Sequence, residues 1–258
     1  MREIPFAPRF SLCTQQPASW QPFATFIPRH YEPRYSYPLL VMFHGRGGDE
    51  RQLLRVMPRL SNRNYIAVGL RGPQATPARR DGSVGYGWAQ AVRGATGGEG
   101  IATLLRPRIP QLSEATSEYL ADYVFQAVAQ IRRRFNIQKR QIYLMGYGEG
   151  AAAAYRLGLG MPSRFAGIVA VNGWLPRNNG PLVWLPEARR LRVLLVHGSD
   201  NELVPISAAE SAYRLLSTAG IPTTFHVLES GHRIHSEALR LINSWVMEYC
   251  WHDVPVEI

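Results

Sequence analysis

The decapeptide LMGYGEGAAA, residues 144–153, ends an apolar run in three glycines spaced two apart and continues into small residues. A strand that turns sharply into a helix through such glycines holds the middle residue of Gly-x-Ser-x-Gly in the open, where a serine can act as a nucleophile. Here the middle residue is Gly148, which has no side-chain reagent. Three other segments carry residue types suited to the same chemistry, and each follows an apolar run: FHGRGG (43–48), HGSDNELVP (197–205) and ESGHRIHSEALRLINSW (229–245). Open α/β sheets build their sites from loops at the C-terminal ends of strands, so the four segments are expected to meet.

The elements that must position them alternate along the chain. PLLVMFH (38–44), NYIAVGL (64–70), RQIYLMG (140–146), FAGIVAVNG (165–173) and RVLLVHG (192–198) read as compact strands, with PFATFIPR (22–29) and TTFHVLES (223–230) as further ones. Near-continuous apolar strands imply burial on both faces of a mostly parallel sheet, of about eight strands here. Between them, Leu120, Val124, Ala127, Ile131 and Phe135 recur at helical spacing within 113–135. A second helix over 207–219 closes at Gly220, followed by Pro222, and a third over 236–251 carries the stripe Leu239, Ile242 and Val246. Residues 71–112 are rich in Gly and Arg and read as a long surface loop, a candidate lid. Residues 174–190 are too few for a cap domain. With neither repeat nor linker, 1–258 reads as one domain, with 1–21 as its lead-in.

The chain has 258 residues, a formal net charge of +10 and a pI near 10.0, and Lys139 is its only lysine. One reading is a compositional bias and a solvated basic surface; the other is an acidic ligand, nucleic acid or a membrane surface. The arginines are scattered. Their densest run, Arg132–Arg134, falls at a helix C-terminus, where it complements the dipole, so specific nucleic-acid binding is not expected. No stretch is apolar and long enough to cross a bilayer, and MREIPFAPRF is no signal peptide. Cys13 and Cys250 make no disulfide framework, which points to the reducing cytoplasm.

The stretches FIPRHYEPRYSYPLLVMFHGRGGDE, YLMGYGEGAAAAYRLGLGMPSRFAGIVAVNGWLP, LLVHGSDNELVP and SGHRIHSEALRLINSW together resemble the phospholipase/carboxylesterase family of the α/β-hydrolase fold, including acyl-protein thioesterase-like and feruloyl-esterase-like members. The resemblance implies a doubly covered sheet without a large cap, and a Ser–Asp–His triad acting on esters. By position it places the triad histidine at His232 and the oxyanion-hole N–H groups at Arg46 and Glu149. The nucleophile position is Gly148, and the acid position is Asn201, one residue after Asp200. A neutral amide can donate as well as accept, so Asn201 could hold the wrong imidazole tautomer. The expectation is a non-catalytic homologue that keeps a place for a small ester-like or acidic ligand. The alternative is an atypical hydrolase or lyase in which His232 activates water or substrate.

The same residues also have plainer readings. Gly146, Gly148 and Ala151 fit a dinucleotide loop, but the next strand ends in Asn172 rather than in an acidic ribose partner. His44 and His197 read as residues that shape the turns after their strands. Trp88 and Trp174 fit packing as well as a pocket wall. Ser83, Ser199 or Ser230 could replace the lost hydroxyl only if the fold brings one beside His232. No cofactor is expected, and no His, Cys, Asp and Glu cluster has metal-ligand spacing.

Overall fold

The computed structural model of the chain describes residues 10–12, 22–77, 81–88, 114–176 and 185–252. Two short strands, β1 (Phe10–Leu12) and β2 (Phe23–Phe26), precede β3 (Tyr37–Phe43), α1 (Met57–Leu60) and β4 (Ile66–Leu70). A small hairpin, β5 (Gln74–Thr76) and β6 (Gly85–Gly87), stands apart from the main sheet. Then come α2 (Glu114–Arg134), β7 (Ile137–Tyr147), α3 (Glu149–Gly160), β8 (Gly167–Val171), α4 (Leu185–Ala188), β9 (Arg192–Gly198), α5 (Ile206–Thr218), β10 (Thr223–Leu228) and α6 (Ser236–His252). The main sheet has eight strands in the order β1-β2-β4-β3-β7-β8-β9-β10. Pairing is parallel from β4 through β10, and antiparallel only where β2 meets β1 and β4. This is the α/β-hydrolase arrangement that the sequence implied.

The apolar strands are buried on both faces because helices cover both. In β3, Leu39, Val41 and Phe43 enter one core with Val124 of α2, Ala154 of α3 and Leu216 of α5. Leu40 and Met42 enter the other core, with Met57 of α1 and Ile242 of α6. Alternate side chains of one strand thus serve opposite layers, as the pleat requires. The lead-in contributes β1 through its register Phe10 to Phe26, a strand the sequence did not announce. Three residues are too few to show a period. The part of 71–112 placed as a candidate lid lies largely outside the described residues, but its described ends form the β5–β6 hairpin and bury Trp88.

The junction from β7 to α3 is closely packed. A Cβ on Gly146 would run into the backbone of Gly150 and Ala151, and one on Gly150 into the carbonyls of Phe43 and His44. No side-chain rotation relieves a clash with backbone. Gly150→Ala should therefore destabilise the protein by at least the 1–3 kcal/mol typical of overpacking, that is, on the order of 2 kcal/mol or more. Urea unfolding checks this, and an unchanged midpoint would mean that helix and strand are not locked together here.

Candidate active site

The four glycine- and histidine-bearing segments converge at the C-terminal edge of the sheet. Gly148 occupies the turn between β7 and α3 with φ 55° and ψ −118°, a conformation that strains any residue with a Cβ. Its N–H donates to the Val171 carbonyl at 2.9 Å, which ties the turn to the end of β8. A Cβ built on Gly148 would lie 3.3 Å from Nε2 of His232. The two positions thus face each other directly, and the imidazole sits close enough to crowd a side chain at 148.

On its other side, His232 is held by Asn201. His232 Nδ1 lies 3.1 Å from Asn201 Oδ1. The same oxygen accepts the backbone N–H groups of Leu203 and Val204, each at 3.1 Å. Two fixed backbone donors leave the amide one orientation, with its oxygen toward the imidazole. His232 Nδ1 must then carry the proton and donate, so the lone pair of Nε2 is directed at Gly148. The expectation that Asn201 could hold the wrong tautomer is corrected by this geometry: the tautomer is the one a general base needs. What Asn201 lacks is the negative charge that would stabilise an imidazolium. Asp200, its neighbour, is exposed and accepts from Ser199 Oγ at 3.1 Å, while its N–H donates to the Ser230 carbonyl. Adjacent residues on this loop face opposite ways, so Asp200 does not replace the acid.

Asn172 was read from sequence only as evidence against a nucleotide site. The structure gives it a positioning role. Buried, and in the left-handed region at φ 51°, it donates through Nδ2 to the His232 carbonyl at 2.6 Å and accepts the Gly198 N–H at 2.9 Å. One amide side chain therefore fixes the histidine loop to the loop that carries Asn201. An Asn-Gly pair at a strand end is the local signal that could have marked it. Tyr147 adds a second tether, its hydroxyl donating to the same carbonyl at 2.9 Å and its ring lying 4.8 Å from the imidazole.

Arg46 and Glu149 meet through their side chains. Arg46 Nη1 lies 3.1 Å from Glu149 Oε1, and Glu149 Oε2 accepts the Trp88 N–H at 3.1 Å. The buried carboxylate is turned toward the hairpin and spoken for there. Among the described residues no acceptor takes the Arg46 backbone N–H. His44 accepts the Gly72 N–H on Nε2 and His197 Nε2 donates to the Val204 carbonyl, so both shape their turns. Trp88 is fully packed, its indole N–H donating to the His44 carbonyl at 2.8 Å. Trp174 is buried, and its indole nitrogen has no hydrogen-bond partner among the described residues. Ser83 Oγ donates to Asp81, and neither Ser199 nor Ser230 is hydrogen-bonded to His232. Among the described residues no three His, Cys, Asp or Glu side chains gather as metal donors.

A model of the phospholipase/carboxylesterase family matches residues 33–249. The chain belongs to this family. In fold it is similar to a carboxylesterase of Mesorhizobium loti, with a TM-score of 0.67 at 18% identity over 92% of this chain and 98% of that one. SOBER1 of Arabidopsis thaliana gives 0.65 at 18% identity, covering 83% and 100%. In sequence the chain is 28% identical to Carboxylesterase SOBER1 of Arabidopsis thaliana over 107 residues, 41% of this chain and 47% of the relative. A probable inactive carboxylesterase of Oryza sativa subsp. japonica is 26% identical over 109 residues, 42% and 44% of the two chains. The chain thus spans just under half the length of the curated relatives it matches. No helix among the described residues is long and apolar enough to cross a membrane.

Burial lowers the pKa of His232, with a further contribution from nearby His197, and burial lowers His197 as well. Both imidazoles are neutral in the native state at neutral pH. As pH falls, the unfolded chain takes up these protons first. The stability they contribute is therefore complete above about 6.5, the ordinary histidine value, and is lost below it. Asn201→Asp reverses the local field, because a carboxylate at hydrogen-bond distance favours the imidazolium. The titration midpoint of the His232 ring, followed by NMR, should move up in Asn201→Asp. A midpoint that stays or falls would show that residue 201 does not govern this histidine.

Proposed function

We propose that this chain is a non-catalytic member of the phospholipase/carboxylesterase family, one that keeps the frame of the ester site without its nucleophile. A single observation carries the reading: the residue that faces the lone pair of His232 is Gly148, with no hydroxyl to be deprotonated. The loss of charge at Asn201 acts in the same direction. The ligand class that fits is a small ester-like or acidic molecule, bound near the N-terminus of α3 and the Arg46 N–H. We assign the chain to a single domain and, from its two cysteines, to the cytoplasm.

One observation favours a second reading. The fixed tautomer keeps Nε2 of His232 available as a base, so activation of water or of a substrate proton is chemically open to this site. Hydrolysis of p-nitrophenyl butyrate separates the two. The non-catalytic reading expects turnover barely above background, within the roughly 10³–10⁴-fold acceleration that a hole and binding alone can leave. Turnover well above that level, abolished by His232→Ala, would establish the water-activating reading instead.

Rebuilding the site tests how much of it survives. Gly148→Ser should cost on the order of 1–3 kcal/mol of stability, because it places a Cβ at positive φ and 3.3 Å from the imidazole. It should also acquire esterase activity and label with a fluorophosphonate, since His232 already holds the productive tautomer. Adding Asn201→Asp should raise turnover further, but by less than the roughly 10⁴-fold that separates Asp from Asn in a serine protease, where the tautomer is lost as well. A double-mutant cycle on turnover reads this directly. A gain of 10⁴ or more would mean that the Asn201 amide rotates; an inert, unlabelled double variant would mean that the surrounding loops have diverged.

A further inference from the structure

The basic residues are scattered in sequence, but the topology collects them. In a parallel sheet every chain returning from a helix re-enters at the N-terminal edge of the strands. An exposed arginine stands before each of five adjacent strands at that edge: Arg63 before β4, Arg34 before β3, Arg133 before β7, Arg164 before β8 and Arg190 before β9. Arg132–Arg134 and Lys139–Arg140 make the junction of α2 and β7 the densest part. The acidic residues at this edge, among those described, are Glu32, Glu187 and Glu248. Both ion pairs among the described residues, Arg46–Glu149 and Arg71–Glu50, lie at the opposite end. Hydrogen bonds link the loops of this floor: Asn136 Nδ2 donates to the Arg34 carbonyl at 3.3 Å, and the Arg29 N–H donates to the Asn62 carbonyl at 3.3 Å.

Two plainer causes are too small or of the wrong shape. The C-termini of α2, α3, α5 and α6 point to this floor, each equivalent to about half a negative charge, so roughly two cations would complement them. A compositional bias would add cations at both ends of the sheet alike, whereas among the described residues the exposed ones concentrate at this edge. Five strands at ~4.8 Å spacing span about 20–25 Å, two to three Debye lengths at physiological salt, so the field of this floor is that of a surface rather than of a point.

We propose that this floor docks on a membrane surface rich in acidic phospholipid, leaving the Gly148–His232 site facing away from the bilayer. Arginine forks match phosphodiester oxygens. Tyr35, 50% exposed, and Met161, 38% exposed, lie among these cations and supply apolar contact at headgroup level. Reading a nucleic-acid groove requires a helix or ribbon laid along it. Here the helices reach the floor only by their C-terminal ends, which favours a flat anionic partner over a duplex.

The test is co-sedimentation of the whole chain with phosphatidylcholine vesicles, with and without phosphatidylserine. Binding should require phosphatidylserine and fall steeply with salt. Reversing Arg132→Glu and Arg133→Glu together should weaken it by more than about tenfold. Reversing Arg233→Glu and Arg240→Glu together, an equal change in net charge at the opposite end, should leave it within about twofold on the same scale. If the first pair fails to keep the wild-type melting temperature, Arg34→Glu and Arg164→Glu, each alone, take its place and should each weaken binding. Equal weakening by the two pairs, no binding to acidic vesicles, or release from vesicles by a short DNA duplex at the same salt would overturn the proposal.

Discussion

The close approach of β7 and α3 is the constraint on which the site depends. Gly146 of β7 abuts the backbone of α3, and Gly150 of α3 abuts the Phe43 and His44 carbonyls at the end of β3, so at either position a side chain would meet backbone rather than a movable group. With strand and helix held that near, the single residue between them has one way to turn the chain, and it falls at positive φ. The strained conformation is therefore imposed by the neighbours of residue 148 and not by its chemistry. Glycine meets the constraint at no steric cost, whereas serine would meet it under strain. The turn can outlast its reagent because none of its packing used the hydroxyl.

The same separation of frame from reagent recurs at the acid position. Asn201 Oδ1 takes two backbone N–H groups of its own loop before it takes His232. A carboxylate oxygen would accept the same three donors, so exchanging Asp for Asn leaves the hydrogen-bond geometry intact and removes only charge. Asn172 then fixes the histidine loop to the Asn201 loop through the His232 carbonyl and the Gly198 N–H. His232 is held at both ring and backbone, and neither restraint needs the ring to be charged. That agrees with the direction in which burial pushes its pKa.

The strands, the long helices and the glycine turn were legible because each leaves a periodic or compositional mark. Apolar runs of Leu, Val, Ile and Met that end in or before glycine give β3, β7 and β9, and the 3.6-residue recurrence of Leu120, Val124 and Ala127 gives α2. The short elements were not legible. β1, α1 and the β5–β6 hairpin hold three or four residues per element, too few for a period to repeat, and exist because a neighbour supplies their hydrogen bonds or covers them. In the site, the facing pair Gly148 and His232 followed from spacing along a recognisable order of strands. The roles of Asn172 and of the Asn201 amide oxygen did not, since each is set by which backbone groups lie within 3 Å or so, and loop backbone leaves no periodic trace.

Charge shows the widest gap between sequence and structure, and the fold explains it. At the site end, the carboxylates of Glu149 and Glu50 are buried, and a buried charge is tolerable only when paired, so Arg46 and Arg71 are consumed there. Arg71 forms two bonds of 2.7 Å to Glu50, which raises its own pKa further. At the floor no carboxylate among the described residues is buried, and nothing there obliges an arginine to bring a partner with it. Parallel topology then sends each return loop to the same edge, so one exposed cation per loop, unremarkable in sequence, adds up across five strands. Among the described residues, cations that read as scattered in sequence gather in space at one edge, opposite the site that the family fold built.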